Sequence, residues 1–161
     1  MGLVLTENET TQLALALTEL LKQSDGKCAL LVDQNGRCLA RRGFTRSLDC
    51  DALAALLAGS FASTRAIAKL VGESEFTLLF HQGQNDHIHN ILVDEDTILS
   101  VIFDDRTTVG MVRLCSKEIA KRLRIILSEA RCRIPETLDA GASRQAAEEA
   151  KERIDNIFQE E

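Results

Sequence analysis

Apolar residues recur at helical spacing in three separate stretches of the chain, residues 6–23, 50–71 and 108–133. In each stretch one side of the helix would be apolar and the other small, polar or charged, as in helices that pack on a core. Thr6 and Glu9 have the spacing of a capping box at the start of the first stretch. The pattern therefore predicts three helices.

Five shorter stretches have the composition of β-strands. The first two lie in "CALLVDQNGRCLARR", and Asn35-Gly36 between them is the strongest short signal for a hairpin turn. The other three are "TLLFHQ", "HIHNILV" and "TILSVIF", separated by turn-rich residues, and they predict an antiparallel meander. The last is almost entirely apolar, so we expect it in the middle of the sheet with both faces covered.

The elements follow the order helix, two strands, helix, three strands, helix. This order predicts an α/β fold of the α+β kind, with a five-stranded antiparallel sheet and helices on both faces. Pro135 should end the third helix, and the residues after it favour a linker. We divide the chain into a domain of residues 1–135, a linker of residues 136–142 and a C-terminal tail helix of residues 143–161.

The second helix has a bulky side and a smooth side, where a solvated helix would have charges. The bulky side consists of Leu53, Leu57, Phe61 and Val71, and we expect it to pack on the sheet. The smooth side contains Ala55, Gly59, Ala62 and Ala66. High helix propensity alone would explain the alanines, but Gly59 costs about 1 kcal/mol in a helix interior. The smooth side therefore indicates close approach by another backbone.

Charge and composition exclude several classes of function. The net charge is −6, and residues 136–161 hold eight acidic and three basic side chains, so the rest of the chain is almost neutral. The chain has no Trp or Tyr, so it offers little for stacking bases, and we expect no nucleic-acid partner. The scattered Cys residues predict reduced thiols, and the lack of a signal or membrane-spanning pattern predicts a cytoplasmic protein with no membrane partner.

Motifs for catalysis or nucleotide binding are missing from the sequence. Neither phosphate-binding glycine pattern is present, so the chain should not hydrolyse GTP or ATP by those routes. His81, His87 and His89 fall on neighbouring strands and are the strongest candidates for a zinc site. A solvent-facing strand edge and the lack of a nearby acidic ligand argue against that site. We expect no catalytic residue, cofactor or metal.

The sequence "FDDRT" places two adjacent acids, Asp104 and Asp105, before Arg106 at the end of the last strand. A catalytic carboxylate pair is one interpretation. Adjacent acids on a turn usually point apart, so the favoured interpretation is a turn and helix start in which the carboxylates meet backbone N–H groups.

Several of these stretches together resemble the roadblock/dynein-light-chain family, and within it the bacterial regulators of polarity and gliding. The similar segments are "LLVDQNGR", "LAGSFASTRAIAKLVGESEF", "HQGQND", "VIFDDRTTVGMVRL" and "IDNIF". The resemblance implies a homodimer in which two central helices lie side by side and two sheets join. It also implies a partner, a Ras-like small GTPase held by two of these chains, and an activating role for the dimer.

Carried onto this sequence, the resemblance places a GTPase-binding platform at Ala58, Gly59, Ala62, Ser63 and Ala66. It places a second contact in the tail at Ile154, Asp155, Asn156, Ile157 and Phe158. Arg65 is a candidate arginine finger, but the resemblance implies that no arginine is inserted and that the switch loops are remodelled instead. Thr64 and Arg65 depart from the family pattern. The alternative is a non-catalytic scaffold that tethers a polarity, motor or receptor complex.

Overall fold

The computed structural model describes residues 2–133, with three helices and five strands in the predicted order. The helices are α1 (Glu7–Ser24), α2 (Cys50–Val71) and α3 (Val109–Cys132). The strands are β1 (Cys28–Asp33), β2 (Cys38–Gly43), β3 (Leu78–Gln82), β4 (His87–Asp94) and β5 (Thr97–Phe103). The predicted linker and tail helix lie outside the described residues.

The five strands form one antiparallel sheet in the order β2-β1-β5-β4-β3. The third strand of the predicted meander, β5, lies in the middle, and all of its residues are buried. This confirms the position expected from its apolar composition. Strands β2 and β3 form the two edges of the sheet.

The turn between β1 and β2 forms where Asn35-Gly36 predicts it. The Asp33 carboxylate accepts hydrogen bonds from the backbone N–H groups of Asn35 and Arg37, each at 2.9 Å. Gly36 has a φ of 81°, and a Cβ at this position would lie 2.9 Å from the Cα of Ala55. The turn therefore needs glycine both for its conformation and for its contact with α2.

Two hydrophobic layers enclose the sheet. Helices α1 and α3 pack on one face, where Leu17, Leu123 and Phe103 belong to the larger core cluster. Helix α2 packs on the other face, where Leu57 meets Leu30 and neighbouring side chains of β1. The layers therefore hold α2 firmly on one side and leave its opposite side outside the core of this chain.

The ends of the helices agree with their predicted caps. Thr6 Oγ1 accepts from the Glu9 N–H at 3.2 Å, and the Glu9 carboxylate accepts from the Thr6 N–H at 2.8 Å, which is a complete capping box. Asp49 accepts from the Ala52 N–H at 3.0 Å at the start of α2.

The prediction for the bulky side of α2 is wrong at Val71, which is 64% exposed because it lies in the last turn, beyond the sheet contact.

Candidate protein-docking surface

The outward side of α2 carries almost no charge. Between Ala52 and Ala68 the only charged residue is Arg65. The predicted smooth side is exposed along its whole length, and its members are Ala55, Gly59, Ala62 and Ala66. A solvated helix surface normally carries charged side chains, so this side has the composition of a contact surface. We call these four residues the small-residue stripe.

The five residues predicted as a platform do not all share this surface. Gly59, Ala62, Ser63 and Ala66 are exposed, but Ala58 is buried at 9% exposure. Ala58 instead faces the sheet side, because one helical turn from it Ala54 and Phe61 enter the core. Ala58 and Ala62 also line a small cavity of about 80 Å³ between α2 and two strand turns.

Hydroxyl groups on α2 are turned back onto their own helix. Ser60 Oγ donates to the Leu56 carbonyl at 2.9 Å, and Ser63 Oγ donates to the Gly59 carbonyl at 3.1 Å. These hydroxyls therefore have a local partner and do not depend on water or a second protein. The outward side of α2 thus behaves as a smoother and less polar surface than its sequence suggests.

Among residues 2–133, nothing in the structure requires glycine at position 59. A Cβ built at Gly59 would meet no heavy atom within 4 Å, apart from its own neighbourhood on the helix. Gly59 is not in the left-handed conformation either. The cost of glycine in a helix interior is therefore not offset by any packing among the described residues.

A row of large apolar side chains runs beside the small-residue stripe. Leu70 is 86% exposed, Leu56 is 70% exposed, and Ile67 is also exposed. The positions of these three residues were not predicted from the hydrophobic pattern. The sequence feature that could have predicted this apolar surface is the lack of a polar side anywhere on α2. Such a composition is typical of a helix that is covered on more than one side. We call Leu56, Ile67, Leu70 and Val71 the large-residue row.

Length and composition would also allow α2 to cross a membrane, since the helix has 22 residues and most of them are apolar. Its inner residues, however, belong to the core that covers β1. Leaving the sheet would expose Leu57 and Phe61 together with the strand surface beneath them. The apolar character of α2 is therefore better satisfied by one face on the sheet and one face on another protein.

The side chain of Arg65 is engaged inside its own chain. Its guanidinium lies 3.6 Å from the Glu75 carboxylate and donates a hydrogen bond to the backbone carbonyl of Glu95. Glu75 lies between α2 and β3, and Glu95 lies in the turn between β4 and β5. Arg65 therefore joins α2 to two loops, which sequence analysis could not foresee because both partners are distant in sequence.

The three histidines do not converge as a metal site would require. The register pairs His81 with Ile88, which places it on the α2 face of the sheet, whereas His87 and His89 face the other layer. His89 is also 1% exposed, so the expectation of a solvent-facing edge is wrong at this residue. Within residues 2–133 no group of three potential ligands is close enough to hold a metal.

Burial dominates the chemistry of His89. Burial lowers its pKa to about 4, and the positive charge of Arg113 acts in the same direction. Neither ring nitrogen has a hydrogen-bond partner in the described structure. His89 is therefore a neutral residue in the core beneath α3, and this position offers nothing to a substrate.

The two adjacent acids after β5 point apart, as the turn interpretation predicts. Asp104 accepts hydrogen bonds from Arg106, at 3.1 Å from its backbone N and at 2.9 Å from its Nε. The Arg106 side chain thereby holds the pKa of Asp104 below its usual range. Asp105 lies 3.6 Å from Nε2 of His87 instead. The pair forms a turn, and α3 is capped by Thr108, which accepts from the Met111 N–H at 3.2 Å.

The Roadblock/LC7 domain matches residues 13–103 of the chain. No curated protein matches it. MglB from Myxococcus xanthus is 36% identical, covers 84% of this chain and 99% of its own, and superposes with a TM-score of 0.75. The gliding protein MglB from Thermus thermophilus is 32% identical, with coverages of 80% and 97% and a TM-score of 0.74. An MglB with a tetrameric arrangement is 32% identical, with the same coverages and a TM-score of 0.76.

Proposed function

The chain belongs to the Roadblock/LC7 domain family, and we propose that it is a GTPase-activating protein for a Ras-like small GTPase of the MglA type. As a roadblock-domain protein similar to MglB it is a regulator, and the proposal concerns what it regulates and how. The observation that carries the proposal is the apolar and almost uncharged outward side of α2, which is suited to docking another protein.

The two exposed strips of α2 suit two different neighbours. The large-residue row offers apolar area, and we assign it to a second copy of the chain, as in a homodimer. The sheet contacts of α2 are mainly with β1 and β2, and among the described strands β3 pairs only with β4, so its outer edge is free to pair with the second sheet. Pairing two copies in this way would bury the row and remove an exposed strand edge at once.

The small-residue stripe suits the GTPase. Small side chains let another backbone approach closely, and the vacant space above Gly59 allows such an approach. In a dimer the two stripes would form one continuous surface, to which one GTPase binds across both chains. Gly59, Ala62, Ser63 and Ala66 are the proposed contacts, and Ala58 supports them from below through its place in the core.

Activation in this proposal occurs without an arginine finger. Arg65 is the only cation near the centre of α2, and its contacts with Glu75 and Glu95 direct it back towards its own loops. The dimer would instead favour one arrangement of the switch loops of the GTPase, in which the enzyme's own groups meet the γ-phosphate. The chain itself contributes no catalytic residue.

The C-terminal tail supplies a second contact in this proposal. Ile154, Ile157 and Phe158 share one side of the predicted tail helix and would enter a groove on the GTPase, flanked by Asp155 and Asn156. The protein would act in the cytoplasm, at a cell pole when it controls polarity or gliding. A scaffold without effect on hydrolysis would use the same surfaces, so only a kinetic measurement separates the two functions.

Single-turnover GTP hydrolysis by the cognate GTPase tests the proposal. We expect the wild-type dimer to accelerate hydrolysis and the variant Ala62→Arg with Ala66→Arg to lose acceleration, because two charges would hold the surfaces apart. The matched control adds the same charges at exposed positions of the other layer, Leu15→Arg with Ser128→Arg. If the wild-type chain binds the GTPase without accelerating hydrolysis, the scaffold function is favoured. If the variant with two arginines in the stripe still accelerates hydrolysis fully, the GTPase does not bind at the small-residue stripe.

A further inference from the structure

Strand β2 presents a second interaction surface, distinct from the outward side of α2. We propose that its free edge binds an extended, acidic segment of a partner protein, which adds a strand to the sheet. This mode of binding uses backbone hydrogen bonds for affinity and side chains for selectivity. The inference concerns a different surface from the proposed GTPase contact and does not depend on it.

The backbone of β2 is open to such pairing. Only β1 pairs with β2 among the described strands. The carbonyl of Arg41 accepts a hydrogen bond from Nη1 of Arg42 at 2.9 Å, so this carbonyl faces away from β1. The N–H of a residue in an antiparallel strand faces the same side as its C=O. The Arg41 N–H therefore also points outward and is available to an added strand.

Positive charge is concentrated along this edge. Residues 37–48 contain four arginines and no acidic residue. Arg37 is occupied by Asp33, with Nε 2.7 Å from the carboxylate, while Arg42 and Arg46 are exposed. The whole chain has a net charge of −6, so the cationic edge is a local feature and not a consequence of composition. A carboxylate-rich strand is the occupant whose charge this edge complements.

The arginines flank the edge on both faces of the sheet. Arg41 lies opposite Leu30, whose side chain is in the core beneath α2, and Arg42 lies opposite Ala29, which faces the α1 layer. Side chains of an added strand also alternate between the two faces. Acidic residues at successive positions of the added strand would thus each meet a guanidinium. The Arg42 side chain could release the Arg41 carbonyl and bind a carboxylate of the added strand instead.

A second copy of this chain is a poor occupant of the same edge. Antiparallel pairing of two β2 strands would set the arginines of one copy against those of the other, and like charges opposite each other destabilise a sheet. Phe44, directly after the strand, is 77% exposed and adds an apolar contact that a partner of different sequence can use. The edge therefore repels itself and attracts an acidic strand.

Binding of a labelled peptide of alternating Glu and Val to the full chain tests the proposal. We expect fluorescence anisotropy to report binding that weakens with added salt, and amide NMR shifts to centre on Leu39, Arg41 and Gly43. Arg41→Pro removes the outward N–H without touching the β1 ladder, and Arg42→Glu reverses one charge. Each should weaken binding at least about tenfold, the effect of losing a charge-assisted or backbone hydrogen bond.

Circular dichroism shows whether each variant is folded. If Arg41→Pro does not fold, Arg42→Glu alone tests the proposal. A peptide of alternating Lys and Val should not bind. The proposal is overturned if the acidic peptide fails to bind, if both folded variants bind it as well as the wild type, or if the shifts map to α2. In those cases the arginines serve only to keep sheet edges of neighbouring molecules apart.

Discussion

Arg65 and Glu75 form an ion pair, with 3.6 Å between Nε and the carboxylate, that ties the middle of α2 to the segment leading into β3. The same guanidinium reaches the turn between β4 and β5 through the Glu95 carbonyl. Arg65 is thus a structural residue of the monomer. This arrangement accounts for a large cation beside a surface that otherwise consists of small residues.

Replacing Arg65 by alanine should leave GTPase activation within a few-fold of wild type. The ion pair is about one-third exposed on both sides, so its loss should cost about 1 kcal/mol or less. Single-turnover hydrolysis and urea unfolding measure the two effects. Arg65→Lys is the conservative control. A loss of about a thousandfold with binding intact would instead identify an arginine finger.

Replacing Gly59 by alanine should raise the stability of the fold and weaken binding of the GTPase. The methyl group meets no atom of the same chain, so the helix should gain about 0.5–1 kcal/mol in stability. The same methyl group should weaken GTPase binding, because it keeps two backbones apart. Urea unfolding and calorimetric titration measure these effects.

Gly110→Ala is the matched control for Gly59→Ala, because a Cβ there meets only Thr108 Oγ1, at 3.9 Å, in a helix on the other layer. It should leave GTPase binding unchanged. Equal affinity of Gly59→Ala and wild type would show that no backbone approaches the stripe at Gly59.

His89 should make the fold less stable in mild acid. Its folded pKa is about 4 against an ordinary value of 6.5, so between these values the unfolded chain binds a proton that the folded chain excludes. The contribution of His89 is therefore complete above about pH 6.5 and is lost as the pH falls towards 4, with a slope of up to about 1.4 kcal/mol per pH unit.

Urea unfolding at several pH values, with wild type and His89→Leu, measures this contribution as the difference between the two slopes. Carboxylates elsewhere titrate in both proteins and cancel. The matched substitution at an exposed histidine, His81→Gln, is the control. Identical slopes for His89→Leu and wild type would show that the buried imidazole is protonated in the folded state.

The tail contact predicts that Ile157→Asp with Phe158→Asp weakens GTPase binding while the dimer stays folded. Two charges on the apolar side of the predicted tail helix would prevent its insertion into the proposed groove. Calorimetric titration against the GTPase measures the affinity, and a chain ending at Pro135 should behave like the double variant. Gln159→Asp adds charge without removing an apolar residue and serves as the control.

Local sequence signals were sufficient for most of the fold. The Asn35-Gly36 turn, the Thr6 cap and the mostly apolar β5 each depend on residues close together in the chain, and all three are present in the structure. Interactions of this kind can be read from spacing because their geometry repeats between proteins.

The features that sequence analysis missed depend on contacts between distant parts of the chain. The resemblance placed Ala58 in the platform, but Ala58 is buried, since neither a resemblance nor spacing gives the angle at which α2 lies on the sheet. His81 was grouped with the other histidines because strand register is not visible in sequence. No prediction was made for Leu56, Ile67 and Leu70 of the large-residue row, because the apolar pattern of α2 does not show which of its large side chains the sheet covers.

The core of this domain and the outward side of α2 share a helix but no side chains. Leu57 and Phe61 hold the fold, whereas Gly59 and Ala62 add nothing to it. Mutations can therefore accumulate on the outward side while the chain still folds. A duplicated gene of this type can diverge towards a new partner through a few substitutions, which makes this helix a natural place for specificity to evolve.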